Sequence, residues 1–457
     1  MMNKQTPPLV SGAVPGAGHA IEFYRDRPGL IRRGFAEHGS VFAIKLANQN
    51  VAVVVGPENQ KQFFMETDKS LNIQEPYRFL KAMFGETLFL ADHEEYVRQR
   101  PFVQEMFKRE KMLHYVDVMQ EVIQTWLDSR GDAGEMELTS EITYLVQEVA
   151  GNCFLGKEAH QEIGREFWEQ YKYLSQALDP LLPPDLPHPK FIRRDRAKAR
   201  MLEILQPIIA RRRQNPEAYD DFLQDIIMKE DKNGTLIEEE TALNMLLGFM
   251  FAGHETTAGQ AAWTIILLLQ HPAYLERVQT EIEQIAPYPV HIDPRRMVQL
   301  NHIEWAVREV ERLRPSADML MRTVKEDVQF GDYLIPAGWL VQVTQGIGHK
   351  LPAYFERPEQ FDPLRYAPGR EEDKQDRFLL FGFGGGAHKC TGMNFANNEM
   401  MLITALLFRA FDLELVTPDP QVVQGMGANH PSQTMVRYRR KDAAATAVTP
   451  EMALAGV

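Results

Sequence analysis

Residues 383–392 read Phe383-Gly384-Gly385-Gly386-Ala387-His388-Lys389-Cys390-Thr391-Gly392, and an apolar, helix-like stretch follows as far as Leu407. A cysteine thus closes a glycine-rich loop led by an aromatic residue. Glycines at 382, 384, 385, 386 and 392 permit left-handed turns and let the backbone come close to a planar ligand. Amides freed by such a turn, with the positive end of the following helix, lower a thiol's pKa. Phe383 can shield the sulfur from water. The chain has only two cysteines, Cys153 and Cys390, so thiol chemistry has one obvious candidate. A lone loop of this kind also serves as a turn before a core helix, with its cysteine a small hydrophobe. Here Phe, Gly, His, Cys and Gly all fall at fixed offsets.

Phe383-x-x-Gly386-x-His388-x-Cys390-x-Gly392 resembles the haem-binding signature of the cytochrome P450 family. The resemblance implies a mainly α P450 fold with a small β-rich subdomain, and haem b (iron protoporphyrin IX) as cofactor. It makes Cys390 the axial thiolate of the iron. It places Phe383 and Gly384 in the cofactor-binding loop and His388 near a haem propionate.

Composition fits one large, mostly helical domain. The chain is 44% hydrophobic and 25% charged, as ordinary globular proteins are. Its 457 residues could form two or three domains, but Pro/Gly-rich stretches are short and helical patterns continue on both sides of each. The expectation is a single catalytic domain over 1–440, and a disordered tail over 441–457, which is Ala-rich without aromatics. A net charge of −13 argues against nucleic acid. Two cysteines form no plausible framework and point to a reducing compartment. With no signal-peptide pattern and no apolar run of about 18 residues, the chain reads as cytoplasmic, without a membrane anchor.

Along the chain, 1–18 reads as an extended entry. Val41 to Leu46 and Val51 to Val55 are β-rich and predict a hairpin with the four-residue loop Ala47-Asn48-Gln49-Asn50. Helical periodicity covers 94–129, 138–153 and 161–177. Leu178 to Lys190 holds five prolines and reads as a loop. Its Leu181, Leu182 and Leu186 either pack on neighbouring helices or meet membrane or substrate. Lys190, Arg193, Arg194, Arg196, Lys198 and Arg200 form a basic patch, either a solvated helix face or a dock for an acidic partner.

Asn233-Gly234 predicts a turn, Thr235-x-x-Glu238 a capping box, and a proline-free helix runs on to about Gln270. Leu246 to Ala252 is apolar on all sides and should be buried. Polar residues then interrupt it: Gly253-His254-Glu255-Thr256-Thr257. Thr256 can bond to a carbonyl one turn earlier and open the helical ladder. Glu255 brings an exchangeable proton beside it. The alternative is a kink whose polar groups satisfy one another. Ala252-Gly253-x-Glu255-Thr256-Thr257 is similar to the P450 oxygen-activation motif, which implies that Glu255 and Thr256 are the catalytic acid–alcohol pair. The zinc pattern His-Glu-x-x-His is excluded, because Ala258 stands where the second histidine is needed.

Glu309-x-x-Arg312 precedes Pro315 and resembles the family's Glu-x-x-Arg helix, although Glu311 and Arg314 repeat the spacing. Phe361-Asp362-Pro363-Leu364-Arg365-Tyr366 is similar to the segment whose arginine joins that pair. The implied triad of Glu309, Arg312 and Arg365 is structural and orders the cysteine loop. By the same resemblance Tyr77, Arg98, Arg322 and His388 hold the propionates, with Arg100 a rival to Arg98. Tyr77-x-Phe79-x-x-x-x-Phe84-Gly85, Gly151 to Lys157 and the end strand Val436 to Arg440 resemble the sterol 14α-demethylase branch. That branch has His-Thr where this chain has Glu255-Thr256. Phe79, Phe84, Phe251, Ala252 and Met319 are the candidate pocket lining, the phenylalanines being equally suited to plain core packing.

The function these features imply is a haem-thiolate monooxygenase acting on a bulky hydrophobic substrate such as a terpenoid, steroid or fatty acid, with O2 as co-substrate. No flavin, nicotinamide or ferredoxin segment occurs, so electrons should come from a separate ferredoxin or flavodoxin docking near Lys389, Arg98, Arg100 and Lys108. Three rivals are a haem-thiolate sensor, a peroxide-driven hydroxylase and a cysteine hydrolase with Cys390 as nucleophile. The acid–alcohol pair counts against the first two.

Overall fold

Apolar residues at helical spacing fill most of the chain, and in the computed structural model they become helices gathered round one central helix. The structure describes residues 5–441 except 180–181, 232 and 426–427. The central helix, Glu239–Gln270, has 32 residues and spans about 48 Å. Helices Leu138–Leu155, Asn301–Leu313 and Met393–Ala410 pack against it. Leu246, Leu247, Met250, Ala261, Ala262, Ile265 and Ile266 on it are almost wholly buried, as expected for a helix apolar on every side.

The helix starts later than its sequence suggests, with Glu238 as N-cap and no side-chain cap bond. Thr235 is not a cap. Its amide donates to Asp231 Oδ1 at 3.0 Å, and the Asp231 amide donates to its carbonyl at 2.7 Å. Asp231 also accepts from the Asn233 amide at 2.8 Å, so a closed turn takes the residues a capping box would have used. The periodic stretch 94–129 is two helices, His93–Met106 and Arg109–Asp128. Lys108 turns extended between them, with ψ 160°. The other two stretches form helices Leu138–Leu155 and Lys157–Ser175.

The proline-rich loop ends at His188, because Pro189 opens helix Pro189–Gln214, a position where its missing N–H is harmless. Leu181 lies outside the described residues, Leu182 is tied to Asp179 through its amide at 2.9 Å, and Leu186 is exposed. The basic patch is largely spent on internal pairs: Arg200 with Glu166 at 2.7 Å and Glu203 at 2.8 Å, Arg194 with Asp195 at 2.7 Å, and Lys190 with Asp179. The tail, apart from Lys441, lies outside the described residues.

The β structure is small. Five strands lie in the order Val41–Leu46, Gln49–Val54, Leu340–Thr344, Met319–Val324, Leu71–Asn72. The second and third are parallel and the other pairs antiparallel. The first hairpin pairs Leu46 with Gln49, so its loop is two residues and not four. Ala47 bears the tight reversal at φ 51°. A three-stranded sheet joins Ala133–Glu137, Met435–Arg440 and Phe411–Leu415. Among the described residues no helix is long and apolar enough to cross a membrane.

Candidate active site

The cysteine loop is held from beneath. The Phe381 amide donates to His349 Nε2 at 3.0 Å, and the Phe381 carbonyl accepts from Gln345 at 3.1 Å. Next along, the Gly382 amide donates to Glu311 Oε1 at 2.9 Å. The far end closes when the Cys390 amide donates to the Phe383 carbonyl at 2.9 Å. Of the five glycines only Gly384, at φ 69°, and Gly386, at φ 63°, need the left-handed region. Gly382 is required instead by contact, since a Cβ there would run into the Glu311 carboxylate. Helix Met393–Ala410 begins just after, with Gly392 as N-cap.

Cys390 is exposed. Burial pushes the thiol up, and the Gly392 amide and Lys389 pull it back only in part. The loop amide thus acts on the thiol in the expected direction, and burial outweighs it. A bound metal ion would deprotonate it outright.

On the central helix, Ala252 is exposed between the half-buried Phe251 and Gly253. Thr256 Oγ1 donates to the Ala252 carbonyl at 2.7 Å, the back-bond expected of it. Burial raises the Glu255 carboxyl above its usual range, with His430 acting against it. A carboxyl that burial makes more reluctant to ionise and a hydroxyl thus come from adjacent residues. The preceding residue, His254, is committed elsewhere, its Nε2 3.1 Å from the Thr143 carbonyl.

The residues named for the propionates divide into two groups. Arg322 is 3% exposed, lies 4.8 Å over the Phe63 ring and donates to the Met321 carbonyl at 2.7 Å and Thr67 Oγ1 at 3.2 Å. Tyr77 meets the same strand, its hydroxyl accepting from the Met321 amide at 3.2 Å. His388 donates from Nε2 to Asp68 at 2.6 Å and stacks on Tyr96 at 4.1 Å. Its Nδ1 is buried with no partner among the described residues. Tyr96 donates to the Ala387 carbonyl at 2.7 Å and accepts from Arg100 at 2.7 Å. Arg98 is not part of this cluster: Glu95 holds it, at 2.8 and 2.6 Å, on the exposed face. Arg100, the rival, is the arginine brought in. Asp68 and Tyr96 were missed in the sequence, because nothing local marks either. A thiol, an orphan imidazole nitrogen and buried cations are the donor set that an iron porphyrin with carboxylate arms needs.

Glu309, Arg312 and Arg365 are brought together, each 0% exposed. Arg312 makes two bonds to Glu309 at 2.8 Å, and Arg365 reaches the same carboxylate at 3.0 Å. Tyr366 adds a hydroxyl at 3.0 Å, and Glu372 receives Arg365 from the other side. The competing pair does not form, because Glu311 turns to Gly382 and Arg314 lies 5.2 Å over the Trp263 ring. Among the pocket candidates Phe79, Phe251 and Met319 are half-buried. Phe84 is 4% exposed and part of the main core, its ring 5.1 Å from that of Phe251.

Comparison with known proteins agrees with this geometry. The family model described as Cytochrome P450 matches residues 7–437. Obtusifoliol 14-alpha demethylase of Sorghum bicolor is 30% identical, over 96% of this chain and 91% of that one. Sterol 14-demethylase of Arabidopsis thaliana is 31% identical over 96% and 92%. Sterol 14alpha-demethylase of Mycolicibacterium vanbaalenii is 30% identical over 95% and 98%. Among solved structures, retinoic acid-bound cyanobacterial CYP120A1 superposes with a TM-score of 0.86 at 25% identity, over 96% of this chain and all of that one. Because family, relatives and fold agree along nearly the whole chain, it belongs to the cytochrome P450 family and is an oxygenase whose cofactor is haem iron.

Proposed function

We propose that this chain is a haem-thiolate monooxygenase that hydroxylates a bulky hydrophobic substrate, a terpenoid, steroid or fatty acid, using O2 and electrons from a separate ferredoxin or flavodoxin. The observation that carries it is the Glu255–Thr256 pair on the central helix, beside the exposed Ala252. The catalytic domain is 1–440. Haem b is held through Cys390, with Phe383 and Gly384 in the supporting loop and Tyr77, Arg100, Arg322 and His388 toward the propionates. When bound, the haem supplies the activation of O2. Thr256 orients a proton at its Oγ1, Glu255 delivers a proton toward it, and the apolar wall of Phe79, Phe251, Ala252 and Met319 orients substrate and keeps water out. The named relatives are sterol demethylases, so sterols head the substrates to test, although the Glu255 acid favours ordinary hydroxylation.

The purified holoprotein should show the red-shifted Soret band of a thiolate-ligated ferrous CO complex, and Cys390→Ser should abolish it. Titration with sterols, terpenoids and fatty acids should move the iron from low to high spin for one class. Thr256→Val should keep the band but divert electrons to peroxide, lowering product per electron by roughly tenfold or more. A colourless holoprotein preparation, or unchanged coupling in Thr256→Val, would overturn the reading.

A further inference from the structure

Glu255 must be reloaded after each proton it delivers, and the groups around it differ in their ability to do so. Tyr171 stands beside it from helix Lys157–Ser175, its hydroxyl buried and without a partner among the described residues. Burial holds that phenol far above its usual range, so it keeps its proton. His254 gives Nε2 to the Thr143 carbonyl, and burial keeps its ring from charging.

His430 differs. It sits in strand Asn429–Pro431, which packs along the central helix. Gly259 makes that approach possible: a Cβ there would lie 2.6 Å from the Asn429 carbonyl oxygen and 3.5 Å from both Cα and Cβ of His430. Glu255 is one turn earlier on the same helix face, since residues four apart are neighbours. The strand is pinned in place, the Asn429 amide donating to the Ser316 carbonyl at 2.7 Å and its side chain to the Pro315 carbonyl at 3.2 Å. His430 Nδ1 is 2.9 Å from the Pro431 carbonyl, which accepts a hydrogen bond from Nδ1–H and leaves Nε2 to exchange protons. The residue is half-buried, lying on the helix with part of its surface open.

We propose that His430 reloads Glu255 with protons from solvent. Its imidazolium passes the Nε2 proton, through water, to the Glu255 carboxylate, giving a neutral imidazole and a neutral acid. The imidazole then takes a proton from solvent. His430 acts through Glu255 and not on substrate. Imidazole suits this work because one ring nitrogen can stay bonded while the other takes up and releases a proton.

The proposal rests on the acid–alcohol reading above, and the test separates the two. His430→Gln holoenzyme should keep the wild-type CO band and the same substrate-induced spin shift. Its product per electron should fall at least about threefold, with a larger solvent isotope effect. The carboxyl stretch of Glu255, assigned in infrared difference spectra by its loss in Glu255→Gln, should titrate at higher pH in His430→Gln, where a neighbouring cation is gone. Unchanged coupling and isotope effect in His430→Gln, whatever the carboxyl titration does, overturn the proposal. If Thr256→Val is then uncoupled, the acid–alcohol reading stands alone. If His430→Gln does not fold, the wild type decides: its Glu255 band should titrate in two steps coupled to a histidine, and a single step overturns the proposal.

Discussion

Arg98 and Arg100 are two residues apart on one helix, yet the structure gives them opposite fates. Arg98 faces outward with a bidentate bond to Glu95. Arg100 leans over the Tyr96 ring at 5.8 Å and bonds its hydroxyl, and Tyr96 in turn covers His388. Helical geometry explains the split, since neighbours two apart are about 200° apart round the axis. From sequence, Arg98 stands first with Arg100 as its rival, because Tyr96, which sorts the two, is recognised only once the cysteine loop is folded against it. Arg100→Ala should therefore hasten haem loss to an apomyoglobin acceptor by about tenfold, the worth of a hydrogen bond to a charged group. Arg98→Ala should leave haem retention alone, and equal loss rates for the two variants would refute the assignment.

The elements were readable where their signals are local. The apolar middle of the central helix and the two strands of the first hairpin follow from neighbouring residues. Misreadings arose where a distant or competing partner decides. Asp231 outbid the capping box, Lys108 broke a continuous periodic stretch, and strand Gln49–Val54 finds its parallel partner Leu340–Thr344 from far along the chain. Glu309 belongs to the same lesson. Its Arg312 partner is local, but Arg365, Tyr366 and the Asp362 amide at 2.9 Å come from a separate segment. Glu309→Gln would leave two buried guanidinium groups under-compensated, and removal of one partner from a buried ion network costs about 3–5 kcal/mol. Urea unfolding should show that loss. A change below about 1 kcal/mol would mean that Glu372 and the carbonyls facing both arginines carry the charge by themselves.

Over the whole molecule, the cysteine loop connects sheet and helix layers through one helix, Asn301–Leu313. Its Glu309 holds the arginine cluster, and its Glu311 holds the loop at Gly382. Glu311 makes the fold's stability depend on pH. Burial pushes its carboxyl up to about 7, with the Gly382 amide, Arg308 and Lys389 opposing. The ordinary glutamate value is 4.5. A carboxyl raised on folding binds its proton more tightly in the native state, so its favourable contribution is complete below about 4.5 and fades as pH rises through about 7. The contribution at stake is up to about 3 kcal/mol, less because the side chain keeps some contact with solvent. Glu255 is raised by burial in the same sense. Glutamine at 311 would mimic the neutral acid and still accept the Gly382 amide. Urea midpoints of wild type and Glu311→Gln should therefore run together near pH 5 and separate toward pH 8, with the variant the more stable. Parallel curves across that range would show that Glu311 stays ionised, and that the neighbouring Lys389 and Arg308 outweigh burial at the base of the cysteine loop.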